Sequence, residues 1–292
     1  MNAQAADARS PEGPAASIER TWLRGVVLSI TLAAAVLLGV LASQHFLDAR
    51  GEPAGCFTLA VSKSSALVGL FALLILLTIL GMVAGRLVNA VVGVFVLGAG
   101  LTALTLRSSS VTGAFFDGAS FTALSIEPII WVIPIAGAVL AIFRFAGAPP
   151  DIAPRYPGGS WREEFCDGEA IRAGLVALLV PLVVWLVVRN MLKGQALGGM
   201  CVGAIAVGIA YRLMAPRVQP LFAFIAPILV MGVYQLIVAS RSPGDLGVAF
   251  ATNSIPPELR VMPMDVVAGS LIGVAIGIGW ARSFRRSDTI QS

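Results

Sequence analysis

Hydrophobic positions in this chain form eight long runs, separated by short stretches rich in polar residues, glycine and proline. A helix needs roughly 17 to 25 apolar residues to cross about 30 Å of hydrocarbon. The runs have close to this length and cover residues 25–46, 66–84, 87–106, 128–143, 171–188, 196–213, 219–239 and 264–281. The fourth is the shortest and continues through Arg144, whose guanidinium can extend to the headgroups. The pattern predicts an all-α integral membrane protein with eight transmembrane helices.

Composition supports the bilayer as the environment of these helices. Hydrophobic residues make up 57% of the chain and charged residues 12%, with a mean hydropathy of +0.88, whereas soluble domains are about 25% charged. If both termini are cytoplasmic, 13 of the 20 Lys and Arg residues lie on the cytoplasmic side. This asymmetry favours that orientation, in an inner (plasma) membrane. The basic residues form no stripe interleaved with aromatics, so we expect no nucleic-acid partner.

The runs divide the chain into two groups of four. We expect a disordered Ala-, Pro- and Ser-rich tail over 1–24, helices over 25–147, a cytoplasmic linker over 148–170, helices over 171–284 and a short tail over 285–292. "RSSSVTGAFFDGAS" from Arg107 aligns with "RSPGDLGVAFATNS" from Arg241 at an offset of 134. The match indicates two parallel four-helix repeats related by a pseudo-twofold axis along the membrane normal. Chance alignment of apolar sequences is the alternative.

Small residues recur at a spacing of four in two of the runs. Gly269, Gly273 and Gly277 share one face of the eighth helix, and Gly199 and Gly203 share one face of the sixth. In lipid, such faces allow close approach of two helices. We expect the eighth helix to pack within the chain, against the fourth or the seventh helix. A homodimer seam is the alternative.

Few residues in the runs could perform chemistry. No charge lies in the middle of a span, and Glu127 and Asp265 border two of them. We expect Glu127, just before Pro128, and Asp265 to lie in first turns, where the helix dipole favours a carboxylate. No motif for a metal, cofactor, nucleotide or nucleophile is present, so we expect no enzyme. Prolines that kink spans and could line a pathway are Pro134, Pro181 and Pro227.

The two loops that begin at Arg107 and Arg241 are the predicted site of substrate or partner binding. Both are about 20 residues long, and loops of this length are usually functional or disordered. Their apolar anchors include Phe116 and Phe250, so we expect them to fold over the mouth of the bundle. The possible partners of the two arginines are Glu127, Glu258 and Asp265. The alternative is that the loops are lids that only shield the helix ends.

These features leave two main functions open. The first is a transporter or facilitator for an uncharged, zwitterionic or lipid-like substrate, with a pathway between the two repeats. The second is a non-catalytic subunit or scaffold of a larger membrane complex. Expected partners are the lipid bilayer and either a membrane protein or a second copy of the chain. An intramembrane enzyme ranks last, because neither the acids nor the lone histidine, His45, belong to a recognisable constellation.

Overall fold

The structure is a computed structural model, and it describes residues 14–54, 56–147, 168–216, 218–241 and 246–288. The fold is all-helical, and none of these residues belongs to a strand. Eight helical segments in the described ranges are long and apolar enough to cross a membrane: Trp22–His45, Lys63–Leu87, Ala90–Arg107, Phe121–Ala146, Gly168–Val187, Lys193–Met214, Leu221–Arg241 and Pro263–Arg282. The prediction of an all-α polytopic membrane protein is therefore confirmed.

We number the α-helices in chain order. The first half contains α1 (Pro14–Ala42), α2 (Lys63–Leu87), α3 (Ala90–Arg107), α4 (Val111–Phe116) and α5 (Phe121–Ala146). The second half contains α6 (Gly168–Gly174), α7 (Leu179–Val187), α8 (Lys193–Met214), α9 (Leu221–Arg241), α10 (Leu246–Ala251) and α11 (Pro263–Asp288). Short 3₁₀ turns occupy Ser43–His45, Leu175–Leu178 and Pro257–Arg260.

Several helices begin earlier than the hydrophobic pattern predicts. Helix α1 begins at Pro14, so residues 14–24 of the predicted tail are helical, while 1–13 and most of the linker lie outside the described residues. Helix α5 begins at Phe121, because the Ser120 hydroxyl accepts a hydrogen bond from the Ala123 amide and caps the helix. Pro128 consequently lies inside α5 rather than at its start.

Helix α11 lies at the centre of the bundle. Its spanning window is 78% buried, compared with 22% for the first span, and it packs against α8, α3 and α9. The glycine face meets α8: a Cβ placed on Gly269 would lie 2.7 Å from Met200 Cβ, and one on Gly273 would overlap the carbonyl of Cys201. The eighth span thus packs within the chain as expected and does contact the seventh span, but its glycine face meets the sixth span rather than the fourth or seventh.

The other predicted glycine pair has a separate neighbour. A Cβ on Gly199 would lie 2.7 Å from Val188 Cγ2, and one on Gly203 would lie 3.4 Å from Val180 Cγ1. These two glycines therefore face the fifth span, with α7 as its second part. Helix α8 carries small residues on two faces and is packed between α7 and α11.

The two ends of the bundle differ in structure. One end holds α4, α10 and the turn Pro257–Arg260, which enclose a small apolar cluster of Cys56, Val111, Ala114, Phe121, Leu124, Ile255, Leu259 and Met262. We call it the capped end. At the opposite end lie Arg24, Arg86, Arg144, Arg172, Arg212 and Arg282, and we call it the arginine end.

Candidate functional site

The two predicted loops meet at the capped end through their aromatic rings. Phe115 in α4 stacks on Phe250 in α10, with ring centroids 4.4 Å apart and planes within 1° of parallel. Phe116 contacts the same Phe250 ring edge-on at 5.6 Å, yet it is 64% exposed. The structure thus brings Phe116 and Phe250 together and adds the neighbouring Phe115 to the cluster.

Arg107 and Arg241 lie in the last turns of α3 and α9, and both are exposed. Among the described residues, no ion pair joins either arginine to Glu127, Glu258 or Asp265. The expected pairing is therefore wrong. The arginines remain at the helix ends, while the three acids have other surroundings.

Glu127 fastens a distant loop to the bundle. Its carboxylate is fully buried and accepts hydrogen bonds from the amides of Phe57 and Thr58 at 3.1 and 3.3 Å, and from the Thr58 hydroxyl at 2.9 Å. The indole of Trp131, one turn further along α5, donates a fourth bond at 3.4 Å. The expected position in a first turn is wrong, because α5 begins six residues before Glu127. Three of its four donors belong to Phe57 and Thr58, in the loop between α1 and α2.

Asp265 lies in the first turn of α11, as expected, and accepts a hydrogen bond from the Met262 amide at 3.2 Å. Its other oxygen, Oδ1, lies 3.1 Å from Lys193 Nζ without a hydrogen bond of good geometry, so charge holds this pair together. Lys193 instead directs a hydrogen bond to the Ser109 carbonyl at 3.1 Å. The buried pair joins α11, α8 and the segment before α4, and Lys193 was not identified from the sequence.

A second charged group lies nearer the surface of the capped end. The Arg50 guanidinium donates to both carboxylate oxygens of Asp117, at 3.0 and 3.3 Å, and lies 3.3 Å from Asp48. Burial by itself raises the pKa of the Asp48 carboxyl. The backbone amides of Glu52 and Arg50 donate hydrogen bonds to the carboxylate, and with them the pKa lies below its ordinary value. Burial and the nearby Asp48 charge raise the pKa of Asp117.

Cys56 belongs to the apolar cluster at the capped end, and its side chain is buried. Burial, followed by the negative charge of Glu127, raises the pKa of its thiol well above the usual range. A thiol in that state does not supply the thiolate needed for nucleophilic attack or metal binding. Within the described residues, no three His, Cys, Asp or Glu side chains are grouped as metal ligands.

A lateral groove of about 780 Å³ lies between the fifth and seventh spans. Its apolar walls include Pro181 and Leu182 of α7 and Val233 of α9. The fifth span is broken here, because α6 ends at Gly174 and a 3₁₀ turn connects it to α7. Pro181 lacks the N–H that would bond to the carbonyl four residues earlier, which accounts for the break. Of the other predicted kinks, Pro227 is buried in α9 and Pro134 is half-buried in α5.

Glu258 lines this groove together with Tyr234 and Trp185, and its side chain is largely buried. The side-chain amide of Gln235 donates to the carbonyls of Glu258 and Val261, both at 2.8 Å, and so fixes the turn that carries the acid. Arg260 attracts the Glu258 carboxylate without forming a salt bridge. Its guanidinium is bonded to the carbonyl oxygens of Ile255, Arg189 and Asn253.

Two further cavities were found in the described part of the chain. One, of about 630 Å³, lies between α1 and α2 and includes the exposed His45 in its lining. The other, of about 230 Å³, lies at the arginine end between α3, α8 and α11. Neither cavity could be predicted from the hydrophobic pattern, since each is formed by residues from separate helices.

Comparison of the chain with protein-family models, with curated proteins and with solved structures finds no match.

Proposed function

We propose that this protein is a membrane transporter or facilitator for a zwitterionic, lipid-like molecule, which enters from the bilayer through the groove between α7 and α9. The observation that supports this most is the combination of an apolar groove with one acid, the buried Glu258, in its lining. An acyl chain suits the apolar walls, and a cationic headgroup suits the carboxylate.

The aromatic residues favour a headgroup that carries a quaternary ammonium. Trp185 and Tyr234 both line the groove, and the faces of such rings attract ammonium groups. Among the described residues, no Lys or Arg lines the groove. The Arg189 guanidinium instead lies 5.8 Å from the Trp185 ring, beside the groove. A phosphocholine headgroup therefore suits Glu258 and the aromatic rings, while its phosphate can approach Arg189.

The broken fifth span supplies the conformational freedom that such a role needs. A 3₁₀ segment inside a longer helix often marks a hinge, and Leu175–Leu178 directly precedes the groove-lining part of α7. Bending at this segment would widen or narrow the groove. This route lies within the second half of the chain, whereas the sequence analysis placed the pathway between the halves.

We also propose that the two halves are structural repeats, on three supporting observations. The six-residue helices α4 and α10 are each followed by a residue with positive φ, Gly118 at 70° and Asn253 at 53°. Each turn has the same pair of backbone hydrogen bonds, from Gly118 and Ala119 in one and from Asn253 and Ser254 in the other. These equivalent residues lie 135 positions apart, one more than the offset of 134 in the sequence alignment. Helix α3 packs on α11 as α5 packs on α9, which is the exchange that a twofold axis requires.

The transport proposal is tested with purified protein in liposomes that contain phosphatidylcholine labelled with nitrobenzoxadiazole. Dithionite added outside bleaches only the outer leaflet, so a facilitator increases the fraction that is bleached. We expect Val233→Trp, which fills the groove, to return that fraction towards the value for protein-free liposomes. Ile133→Trp is the matched control, because Ile133 lies on α5, is 79% exposed and does not line the groove.

Glu258→Gln tests the headgroup part of the proposal. It should slow the bleaching of labelled phosphatidylcholine. The bleaching of labelled phosphatidylglycerol, whose headgroup has no ammonium group, should not change. Wild-type protein that bleaches no more lipid than empty liposomes would overturn the transport function. Equal activity of the Val233 and Ile133 variants would overturn the assignment of the groove as the route.

A scaffold is the second candidate, and the exposed Phe116 supports it. This ring lies outside the spanning helices at the capped end and is 64% exposed. A stoichiometric membrane protein that co-purifies with the wild type but not with Phe116→Ala would favour the scaffold. Val61→Ala is the control, because Val61 lies in the loop between α1 and α2 at the same end and is 71% exposed.

A further inference from the structure

The cavity of about 630 Å³ between α1 and α2 has its polar side chains at one end. These are His45, Ser64 and Ser65. His45 ends the 3₁₀ turn after α1, and the two serines belong to the first turn of α2, so all three lie at the capped end. In the described part of the chain, no hydrogen bond involves any of these three side chains. We call this cavity the α1–α2 groove.

His45 and Ser65 lie beside the same part of α2. A Cβ placed on Gly69 would lie 3.4 Å from His45 Cβ, so the histidine packs against α2 at this position. Ser65 lies one helical turn before Gly69 on the same face, and residues four apart in a helix have Cβ atoms about 5–6 Å apart. The imidazole and the serine hydroxyl therefore flank the same end of the groove.

The rest of the α1–α2 groove is apolar and open to the outside of the bundle. Leu73 is buried at its floor, whereas Leu41, Val68 and Leu76 are exposed along its rims. The distance along α2 from Ser65 to Leu76 is about 16 Å, from the rise per residue of a helix. This is close to half of the roughly 30 Å hydrocarbon core. The groove therefore extends from the capped end through about one leaflet.

The polar end of the groove matches a lipid hydroxyl group. A serine hydroxyl both donates and accepts hydrogen bonds, and a neutral imidazole donates at one ring nitrogen and accepts at the other. A lipid hydroxyl has the same dual capacity. Among the described residues, no Lys, Arg, Asp or Glu lines this groove, so a charged headgroup would find its counter-ion in none of them.

We propose that the α1–α2 groove binds a neutral lipid whose head is a single free hydroxyl group. The hydroxyl lies between His45 and the two serines, and the apolar body lies along α2 within one leaflet. The volume of about 630 Å³ is within the roughly 300–1,000 Å³ of pockets that enclose a small ligand. Diacylglycerols and sterols share this chemistry. The proposal goes beyond the transport function and does not depend on it, because the two grooves have no lining residue in common.

Binding should stabilise the fold, because the groove is formed by two separate helices. A ligand that binds only the folded state raises the thermal midpoint as its concentration increases. The experiment measures Tm of the purified full chain in dodecyl maltoside with added 1,2-dioleoylglycerol or cholesterol. We expect a saturable rise in Tm with at least one of them, and which one it is identifies the lipid class. The methyl ether of each lipid, which cannot donate a hydrogen bond, should give a smaller rise.

A bulky substitution connects the effect to the apolar part of the groove. Val68 lines the groove and is 70% exposed, so Val68→Trp fills the space without disturbing the core. Val83→Trp is the matched control, because Val83 also lies on α2, is 45% exposed and does not line the groove. Val68→Trp should remove most of the rise in Tm, and Val83→Trp should keep it.

A serine variant tests the polar end. The double substitution Ser64→Ala and Ser65→Ala should increase the concentration of the hydroxyl lipid needed for a half-maximal rise by about two- to tenfold, the equivalent of one neutral hydrogen bond. The response to the methyl ether should change less. Ser29→Ala is the control, since Ser29 is also exposed on a spanning helix and its hydroxyl bonds to the Gly25 carbonyl within α1.

Three results would overturn the proposal. The first is an equal rise in Tm with the methyl ethers, which would mean that the free hydroxyl is not recognised. The second is an undiminished rise in a folded Val68→Trp protein, which would place the lipid elsewhere. The third is a larger rise with dioleoyl phosphatidic acid, which has the same chains as dioleoylglycerol and a phosphate head. That result would mean that a charged headgroup is selected, with Lys63, the residue before Ser64, as its first candidate partner.

Discussion

The backbones of α8 and α11 are in contact where Gly277 faces Gly208. A Cβ placed on Gly277 would lie 3.0 Å from Gly208 Cα and would overlap the Ile205 carbonyl. Neither helix can move aside, because α11 is enclosed by α3 and α9 as well. This contact therefore depends on the absence of a side chain at both positions.

Replacing Gly277 with leucine should destabilise the bundle. Overpacking a tight contact typically costs 1–3 kcal/mol, and here the clash is with backbone, so we expect about 3 kcal/mol. The readout is Tm in detergent together with the monodisperse fraction in size-exclusion chromatography. Gly137→Leu, which adds the same bulk where there is open space, should behave like the wild type. Wild-type Tm for Gly277→Leu would mean that the two helices are not in contact.

The stacked pair Phe115 and Phe250 should show a measurable coupling energy. Aromatic pairs contribute about 0.5–1.5 kcal/mol beyond the area that they bury. We expect the double alanine variant to lose less stability than the sum of the two single variants, by an amount in that range. The measurement is a double-mutant cycle in SDS-induced unfolding. If the stability losses of the two single variants add up to that of the double variant, the two rings do not interact in the solubilised protein.

Removing the Lys193 charge should cost more than removing the pair. Lys193→Met leaves Asp265 buried without its counter-ion, a change that typically costs 3–5 kcal/mol, and Asp265 is fully buried. Adding Asp265→Asn should restore much of this loss, because the substituted residue is neutral. Thermal unfolding of the three variants tests the expectation. A double variant less stable than Lys193→Met would contradict it.

Asp48→Asn should lower stability in a pH-dependent way. The folded pKa of Asp48 lies below its ordinary value, so the charged form contributes stability above about pH 4 that disappears as pH falls through the lowered folded pKa. We expect a loss of about 1 kcal/mol at neutral pH, partly offset because Asp117 loses a repulsive neighbour, and a smaller loss at acidic pH. Thermal midpoints from pH 3 to 7 measure it. A loss of stability in Asp48→Asn that becomes larger as the pH falls would contradict this expectation.

Cysteine accessibility tests the predicted orientation. In a background with Cys56, Cys166 and Cys201 replaced by alanine, Phe116→Cys should react with an impermeant maleimide in intact cells. Arg144→Cys should react only after the cells are permeabilised. Both positions are exposed, so a lack of reaction reflects the side of the membrane. The opposite pattern would place the arginine end outside.

The hydrophobic pattern predicted the number of spans, because hydrocarbon thickness determines how many apolar residues a helix needs. It did not predict the start of α5. The segment between Phe121 and Glu127 contains Thr122 and Ser125 and is less apolar than the run that follows Pro128, but the Ser125 hydroxyl bonds back to the Phe121 carbonyl within the helix. Pro128 was interpreted as the start of this helix, whereas the helix begins seven residues earlier, directly after its capping residue Ser120.

Contacts between distant segments were predicted less well, for identifiable reasons. The glycine spacing identifies the contact face of α11 but carries no information about which helix packs against it. The role of α8 was missed because Gly208, which faces Gly277, has no second glycine four residues away. The partners of Glu127 are largely backbone amides, which every residue possesses. No side-chain pattern could therefore identify Phe57 and Thr58 in advance.

The bonds from Phe57 and Thr58 to Glu127 connect positions 70 and 69 residues apart, and this separation sets an order of assembly. The loop that follows α1 leaves the ribosome long before α5 does, and its amides have no carboxylate to meet until α5 has entered the bilayer. The first hairpin of spans must therefore be inserted before the amides of Phe57 and Thr58 have their acceptor. Truncated nascent chains that end before α5 should leave this loop open to protease, and chains extended beyond α5 should protect it.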